Sequence, residues 1–318
     1  MSNTKGSKIC VIGAGAVGAS VTWALSFQQL ASEIVLIDVN KDKAQGEILD
    51  IGHGLPFLGM MDIHSGDYDE IAGADVIIVT AGIPRKPGET RMDLAKKNVN
   101  LAKIITDSIM KYYDGGVIMV VSNPCDVVTY KIAQWSGLPA SKVIGSGTNL
   151  DSARFRYLLG QHLGGIDLRN VHGYMLGEHG ETQFPAWSMT HIAGVQVDEY
   201  ARIAGKSLTD EEKADIATRT KSAGAEIIKL KGATYNGIAV SAMTLVESIL
   251  TDAHTIRTCG AMLNGEFGIS DIVLNVPVSI GKDGIERIIE AKLTDNEMEL
   301  LKASEANVRA VIESVKDI

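Results

Sequence analysis

Short apolar runs separated by helical patterns dominate the first half of the chain. Continuous runs without polar alternation are typical of strands covered on both faces, and their alternation with helices predicts a parallel, doubly wound α/β sheet. The runs are rich in Val and Ile and are bounded by Gly, Asp or Asn: KICVIG (8–13), EIVLID (33–38), DVIIVT (75–80), GVIMVV (116–121) and KVIG (142–145). A nucleotide-binding architecture is the default expectation for such a sheet.

After about residue 147 the pattern changes to longer helices mixed with short strand pairs. Two of these helices are predicted to begin with a capping box, formed by Thr209 with Glu212 and by Thr294 with Glu297. Apolar side chains recur on one face of the last helix, so this helix is expected to pack on the body of the protein. That face comprises Leu301, Val308, Ile312 and Val315.

The two patterns predict two domains in one compact unit, with a cleft between them. A Rossmann domain is expected over residues 1–146, and a second, α+β substrate domain over residues 147–318. No linker, low-complexity tract or internal repeat interrupts the 318 residues.

Composition and charge exclude several classes of partner. A net charge of −9 would repel nucleic acid and anionic lipid, so we expect neither, although small anions can still bind at local sites. The N-terminal residues lack the apolar core of a signal peptide, and no apolar stretch approaches the roughly 18 residues of a membrane span. We therefore expect a cytoplasmic protein.

The cysteines and histidines give no support to a disulfide framework or a metal site. Cys10, Cys125 and Cys259 are odd in number and widely spaced without a CxxC pair, which favours buried, reduced thiols. The seven histidines show no HExxH pattern.

A glycine-rich loop follows the first predicted strand and opens an apolar helix. Gly13, Gly15 and Gly18 have the GxGxxG spacing, which permits a tight turn and leaves backbone N–H groups at a helix N-terminus to face a pyrophosphate. Asp38 ends the second predicted strand 20 residues after Gly18, where a carboxylate can accept hydrogen bonds from both ribose hydroxyls. Because that carboxylate would repel a 2′-phosphate, NAD is predicted rather than NADP.

Polar groups with possible catalytic roles stand in three other segments. NLDSARFR places Asp151, Arg154 and Arg156 at the start of an apolar helix, and GYMLGEHGE places His179 between glycines. Arg91 belongs to AGIPRKPGETR (81–91), a loop with three cations in an acidic protein. Taken singly, each has a structural explanation: a helix cap, a solvated loop residue or a surface charge.

Seven ordered motifs together resemble the L-lactate/L-malate dehydrogenase family from end to end. They are GAGAVG, LID, PGETRMDL, VSNPCDV, GTNLDSARFR, GYMLGEHGET and KGATYNGIA. The resemblance implies an NAD-dependent enzyme that reduces a 2-oxo acid to an L-2-hydroxy acid. Two rival classes fit less well: the NAD-dependent glycosidases place a Cys and a His on a divalent metal, a pattern absent here, and a non-catalytic NAD sensor would not need the residues that follow.

The resemblance also implies roles for the catalytic candidates. His179 matches the family's proton donor, and Asp151 matches the carboxylate that orients it and favours the imidazolium. Arg154 matches the residue that grips the substrate carboxylate with a two-pronged hydrogen-bond pair. Arg91 matches the loop arginine that polarises the reacting carbonyl on closure.

Further positions match the family's binding residues. Asn123 matches a residue beside the nicotinamide and the substrate oxygen, its bond to Pro124 is usually cis in the family, and Thr234 matches a pocket wall. The matches to cofactor contacts are Gly13, Gly15, Val17, Gly18, Asp38, Lys43, Tyr68, Gly82 and Asn123.

Arg85 departs from the lactate branch that the other motifs resemble. Lactate enzymes usually carry Gln or another uncharged residue six positions before Arg91, whereas malate enzymes carry Arg. The chain is thus expected either to be a lactate enzyme with a natural or engineered substitution or to be an intermediate between the branches. Lys86 matches no family site.

Arg156 and His172 occupy positions at which bacterial lactate dehydrogenases bind fructose 1,6-bisphosphate across a subunit interface. The resemblance therefore implies a homotetramer with an allosteric site. A structural ion pair for Arg156 and a satisfied strand position for His172 are the alternative.

Overall fold

The first half of the chain alternates strands and helices, as the apolar runs predict. The computed structural model describes residues 6–84, 88 and 90–318, including the backbone but not the side chain of Arg91. The order is β1 (Lys8–Ile12), α1 (Ala16–Gln28), β2 (Glu33–Ile37), α2 (Lys41–Gly52), β3 (Asp62–Gly66), β4 (Val76–Val79), α3 (Arg91–Met110), β5 (Val117–Val120), α4 (Cys125–Ser136), β6 (Val143–Gly145) and α5 (Asn149–His162).

The second half contains short strands, longer helices and a long hairpin. The order is β7 (Val171–His172), β8 (Met175–Leu176), β9 (Phe184–Pro185), β10 (His191–Ile192), β11 (Val195–Gln196), α6 (Val197–Ile203), α7 (Asp210–Lys231), α8 (Asn236–Leu250), β12 (Thr255–Asn264), β13 (Ser270–Gly281), β14 (Gly284–Ile288) and α9 (Asp295–Glu313).

The doubly wound parallel sheet is confirmed. Strands β3-β2-β1-β4-β5-β6 lie side by side in that order and all pair in parallel. The sheet then continues into the second half, because Gly260 of β12 pairs antiparallel with Gly145 of β6 and β13 and β14 follow. The β12–β13 hairpin thus extends the first sheet, and its strands are longer than the short strand pairs that the sequence predicts.

The core lies on both faces of the central sheet. β1, β2, β4 and β5 are almost wholly buried, which explains their unbroken apolar sequences. A second apolar cluster surrounds Phe155 and Leu159 of α5, together with Val171, Ile192 and Ile216.

The predicted helix caps, the packing of the last helix and the state of the cysteines agree with the structure. Both predicted capping boxes form, at Thr209 and at Thr294. The predicted apolar face of the last helix packs on the core, with Ile312 only partly buried and Val315 two residues beyond the end of α9. All three cysteines are free and buried. Within the described ranges, no helix is both long and apolar enough to cross a membrane.

Candidate active site

The glycine loop between β1 and α1 combines two closely packed glycines with one open position. Gly13 has a φ of 108° and a Cβ there would lie 2.7 Å from the backbone nitrogen of Ala81. A Cβ on Gly18 would lie 1.7 Å from the carbonyl oxygen of Gly13. Around a Cβ on Gly15, by contrast, no described atom beyond its chain neighbours lies within 4 Å. The loop therefore leaves room for an anion at the N-terminus of α1.

Asp38 follows β2 and is fixed beside this loop. Its carboxylate accepts hydrogen bonds from the backbone nitrogens of Ala14 (2.6 Å) and Asn40 (2.8 Å). A carboxylate offers about four acceptor positions, so acceptor capacity remains for ribose hydroxyls. Burial, with the neighbouring charge of Asp38, raises the pKa of the Tyr68 hydroxyl. The open loop and the placed carboxylate fit a dinucleotide without a 2′-phosphate.

The other predicted cofactor positions lie on elements around the same edge of the sheet. Val17 is in the first turn of α1, and the backbone nitrogen of Lys43 donates to the Asn40 side chain at the start of α2. Gly82 follows β4 and Asn123 follows β5. Because parallel strands end at a common edge, their carboxyl ends bring these loops together.

Asn98 of α3 is a buried side chain that the sequence did not single out. It donates to the carbonyl oxygens of Asn123 (2.7 Å) and Ile83 (3.2 Å) and accepts from the nitrogen of Ile83 (2.7 Å). Asn98 thereby ties the loop after β4 to the loop after β5, where the Asn123–Pro124 bond is cis. An Asn inside a helical pattern gives no sequence signal for such contacts.

Asp151, Arg154 and His179 meet in one arrangement. Asp151 is 1% exposed, and its two carboxylate oxygens are divided between two cationic groups. The Nδ1 of His179 lies 2.6 Å from Oδ2, and the Nη1 of Arg154 donates to Oδ1 at 2.9 Å. Both contacts follow from α5, which places Asp151 and Arg154 on adjacent turns, and from the loop after β8, which carries His179.

The contacts of Asp151 with His179 and Arg154 shift the pKa values of both Asp151 and His179. Burial opposes protonation of His179, but the carboxylates of Asp151 and Asp126 outweigh it and raise the pKa of the imidazole. Burial likewise opposes the charge of Asp151, yet His179 and Arg154 hold its pKa below the usual value. An ionised carboxylate next to an imidazole of raised pKa is suited to proton donation.

Of the other residues predicted to contact the substrate, the structure describes Thr234 and the backbone of Arg91. Thr234 is half-buried in the loop between α7 and α8. Arg91 is the first residue of α3, whose N-terminus has a capping box between Thr90 and Asp93. Arg85 and Lys86 lie outside the described residues.

The residues of the predicted effector site lie on α5 and β7. Arg156 donates from Nε to the carbonyl oxygen of Ser152 at 3.3 Å, and His172 is exposed in β7. Burial, with the neighbouring charge of Arg257, lowers the pKa of Arg156. Within the described part of the chain, no carboxylate forms an ion pair with Arg156 or Arg257, so the structural ion pair considered for Arg156 is not observed.

Among the described residues, two sets of potential metal-ligand atoms occur away from this site. Their atoms lie within 4.8 Å of one another in Glu33, His64 and Glu70, and in Asp252, His254 and Glu286. In the first set Lys8 already supplies a cation 3.0 Å from Glu33. Neither set includes His179.

The fold and the glycine loop define an NAD-binding protein of the doubly wound α/β class. Comparison with known proteins then gives the family. Residues 7–145 match the NAD binding domain of lactate/malate dehydrogenase, and residues 148–318 match its alpha/beta C-terminal domain. The chain therefore belongs to the lactate/malate dehydrogenase family, and its cofactor is NAD.

Several similar proteins are lactate dehydrogenases. The L-lactate dehydrogenase of Thermoanaerobacter sp. (strain X514) is 42% identical over 309 residues, which are 97% of this chain and 99% of that protein. L-lactate dehydrogenase 1 of Clostridium acetobutylicum is 44% identical over 311 residues, with 98% and 99% covered. The solved L-lactate dehydrogenase of Clostridium thermocellum is 51% identical with a TM-score of 0.87, covering 98% of this chain and 99% of that one.

Proposed function

We propose that the chain is an NAD-dependent L-2-hydroxy acid dehydrogenase that interconverts pyruvate and L-lactate, and that Arg85 extends its substrates to oxaloacetate and L-malate. The observation that carries the reaction class is the His179–Asp151–Arg154 arrangement, in a chain that also has an NAD-binding domain. The names of the relatives support the lactate reaction. A true malate dehydrogenase of the lactate-like branch is the alternative.

The described residues support a simple division of labour. NADH, when bound, supplies the hydride. Asp151 engages Nδ1 of His179, which leaves Nε2 to donate the proton to the carbonyl oxygen of a 2-oxo acid. Arg154 keeps further N–H donors for the substrate carboxylate beyond the one given to Asp151. We assign Arg91 to the carbonyl oxygen and place Asn123 and Thr234 at the pocket wall.

The family profiles also support a division of labour between two domains, with residues 1–146 binding NAD and residues 147–318 carrying His179, Asp151 and Arg154. The catalytic groups then face the cofactor from the second domain.

Arg85 decides between pyruvate and oxaloacetate in this proposal. Oxaloacetate presents a second carboxylate to Arg85, whereas pyruvate presents a methyl group. Closing the loop over a methyl group would leave a desolvated charge without a partner, which costs about 3–5 kcal/mol. At about 1.4 kcal/mol per tenfold, the preference for oxaloacetate is about 10²- to 10³-fold, and less where the arginine swings out to solvent.

The test is kcat/KM for both substrates in the wild type, in Arg85→Gln and in Lys86→Gln. Arg85→Gln is expected to restore preference for pyruvate with little change in NADH affinity. Lys86→Gln is the matched control, since it removes a neighbouring cation that matches no family site. A change in the substrate ratio of less than about fivefold in Arg85→Gln would assign specificity to another pocket residue.

We also propose a homotetramer with a site for fructose 1,6-bisphosphate at Arg156 and His172. Two neighbouring guanidinium groups, Arg156 and Arg257, lack a carboxylate partner among the described residues, and such a pair is suited to an anion. Light scattering and pyruvate saturation curves with and without the bisphosphate test the two parts separately. A dimer under both conditions contradicts the tetramer, and unchanged curves contradict the effector.

A further inference from the structure

A second buried carboxylate, Asp126, lies behind the proton donor. It is 3% exposed and stands in the first turn of α4, three residues after Asn123. Its Oδ2 accepts a hydrogen bond from the backbone nitrogen of His179 at 2.7 Å. Its Oδ1 accepts from the side-chain Nδ2 of Asn275 at 2.8 Å. Asp126 therefore connects the element that carries Asn123 to the backbone of His179.

Asn275 of β13 is completely buried and holds two further segments. Its Nδ2 also donates to the carbonyl oxygen of Gly177, two residues before His179, at 2.9 Å. Its Oδ1 accepts from the backbone nitrogen of Thr148, just before α5, at 3.0 Å. A Cβ on Gly147 would lie 1.6 Å from that oxygen, so the backbone at residue 147 passes too close to Asn275 for any side chain to fit without a shift.

We propose that Asp126 and Asn275 are positioning residues that fix the backbone of His179 relative to Asp151 and to the Asn123 loop. Between them they contact the starts of α4 and α5 and the loop after β8. Asp126 lies within the VSNPCDV motif, but neither Asp126 nor Asn275 was given a catalytic or binding role above. The inference rests on the proposed reaction, because it concerns the residue that donates the proton.

Asp126 also acts through its charge. Among the residues that the structure describes, the charged groups that act on His179 are Asp151 and Arg154 from α5 and Asp126 from α4. The two carboxylates raise the pKa of His179 and Arg154 lowers it. Replacing Asp126 by Asn removes one of the two negative charges, so the pKa of His179 should fall. Reduction requires protonated His179. As the pH is raised, Asp126→Asn should therefore lose its reduction rate at a lower pH than the wild type does.

The experiment compares Asp126→Asn and Asn275→Ala with the wild type. Asp126→Asn is expected to lower the pH midpoint of kcat/KM for reduction by about half a unit or more. Asn275→Ala keeps the charge of Asp126. It is expected to lower kcat roughly tenfold with a smaller change in the pH midpoint, because the backbone next to His179 loses the hydrogen bonds that position it. NADH affinity should stay within about twofold in both, since neither residue touches the cofactor in the proposal.

A second measurement does not depend on turnover. NMR titration of isotope-labelled histidine follows the ring of His179, which is assigned by the signal lost in His179→Asn. Asp252→Asn is the matched control, because the Asp252 carboxylate also accepts from a backbone nitrogen, that of Lys282 at 2.9 Å, on an exposed turn. This control should leave both the titration and the kinetics unchanged.

The outcomes separate the inference from the proposed function. A wild type that reduces neither pyruvate nor oxaloacetate contradicts the proposed function. An active wild type whose His179 titration and pH profile are unchanged in Asp126→Asn contradicts the inference, as does an unchanged kcat in Asn275→Ala. If Asp126→Asn does not fold, Asn275→Ala still decides the positioning role through kcat against NADH affinity.

Discussion

At the scale of single residues, Asp151 joins two cationic groups in a buried position. An isolated buried carboxylate would be expensive, but His179 and Arg154 together offset its desolvation. The same carboxylate orients the imidazole and stabilises its proton. Removing the charge of Asp151 should therefore affect the chemistry more than the binding of cofactor.

Substitutions of His179 and of Asp151 test the acid–base pair separately. His179→Asn should retain less than about a tenth of the reduction rate, because general acid catalysis is normally worth some 10²- to 10⁴-fold. Asp151→Asn should lower the pKa of His179. As the pH is raised, this variant should therefore lose its reduction rate at a lower pH than the wild type does. Both variants should still bind NADH, as measured by fluorescence titration. A His179→Asn variant with near wild-type turnover would contradict the assignment.

How far the sequence predicts a residue depends on what that residue contacts. Asp151 and His179 could be proposed from their motifs, because ionisable groups at such positions have a direct chemical use. Asp126, Asn275 and Asn98 could not, because each acts on backbone groups that only the folded chain brings together. A sequence shows that an Asn is present but not which carbonyl oxygen it meets.

At the scale of elements, the glycine loop separates a packing requirement from a ligand requirement. Gly15 has φ −69° and ψ 177°, values that alanine adopts without strain, and its Cβ position is open. Gly18 packs against Gly13 so closely that a methyl group cannot fit. The two glycines of one motif should therefore fail in different ways.

Alanine substitutions at Gly15 and Gly18 form a matched pair. Gly15→Ala should leave thermal stability unchanged and weaken NADH binding by about tenfold or more, because the methyl group enters the space of the pyrophosphate. Gly18→Ala should lower the free energy of unfolding by about 1–3 kcal/mol or more, because α1 must move. Thermal melting and NADH titration distinguish the two, and equal loss of stability in both would contradict this division.

Elements were predictable where burial is symmetric. The strands covered on both faces have continuous apolar sequences and were located within a residue or two. β3 was missed because DIHSG is polar and only half-buried at the edge of the sheet. The extension of the sheet by β12 and β13 was also missed, because β12 joins β6 through the pairing of Gly260 with Gly145, more than a hundred residues away.

At the scale of the whole molecule, one sheet crosses from the NAD-binding half into the second half. Such continuity favours cooperative unfolding, since the β12–β13 hairpin covers what would otherwise be the exposed edge of β6. The three cysteines report on different parts of this structure: Cys10 on β1, Cys125 at the start of α4 and Cys259 on β12. Each of them is at most 1% exposed.

Thiol labelling can therefore test cooperativity. Burial raises the pKa of all three thiols to about 12, so none should react with a thiol reagent in the native protein near pH 8. In increasing urea all three should become reactive over the same transition, because Cys10 and Cys259 belong to one sheet. Mass spectrometry of labelled peptides measures each site separately. Labelling of Cys10 at a urea concentration that leaves Cys259 protected would show that the two halves unfold independently, in spite of the shared sheet.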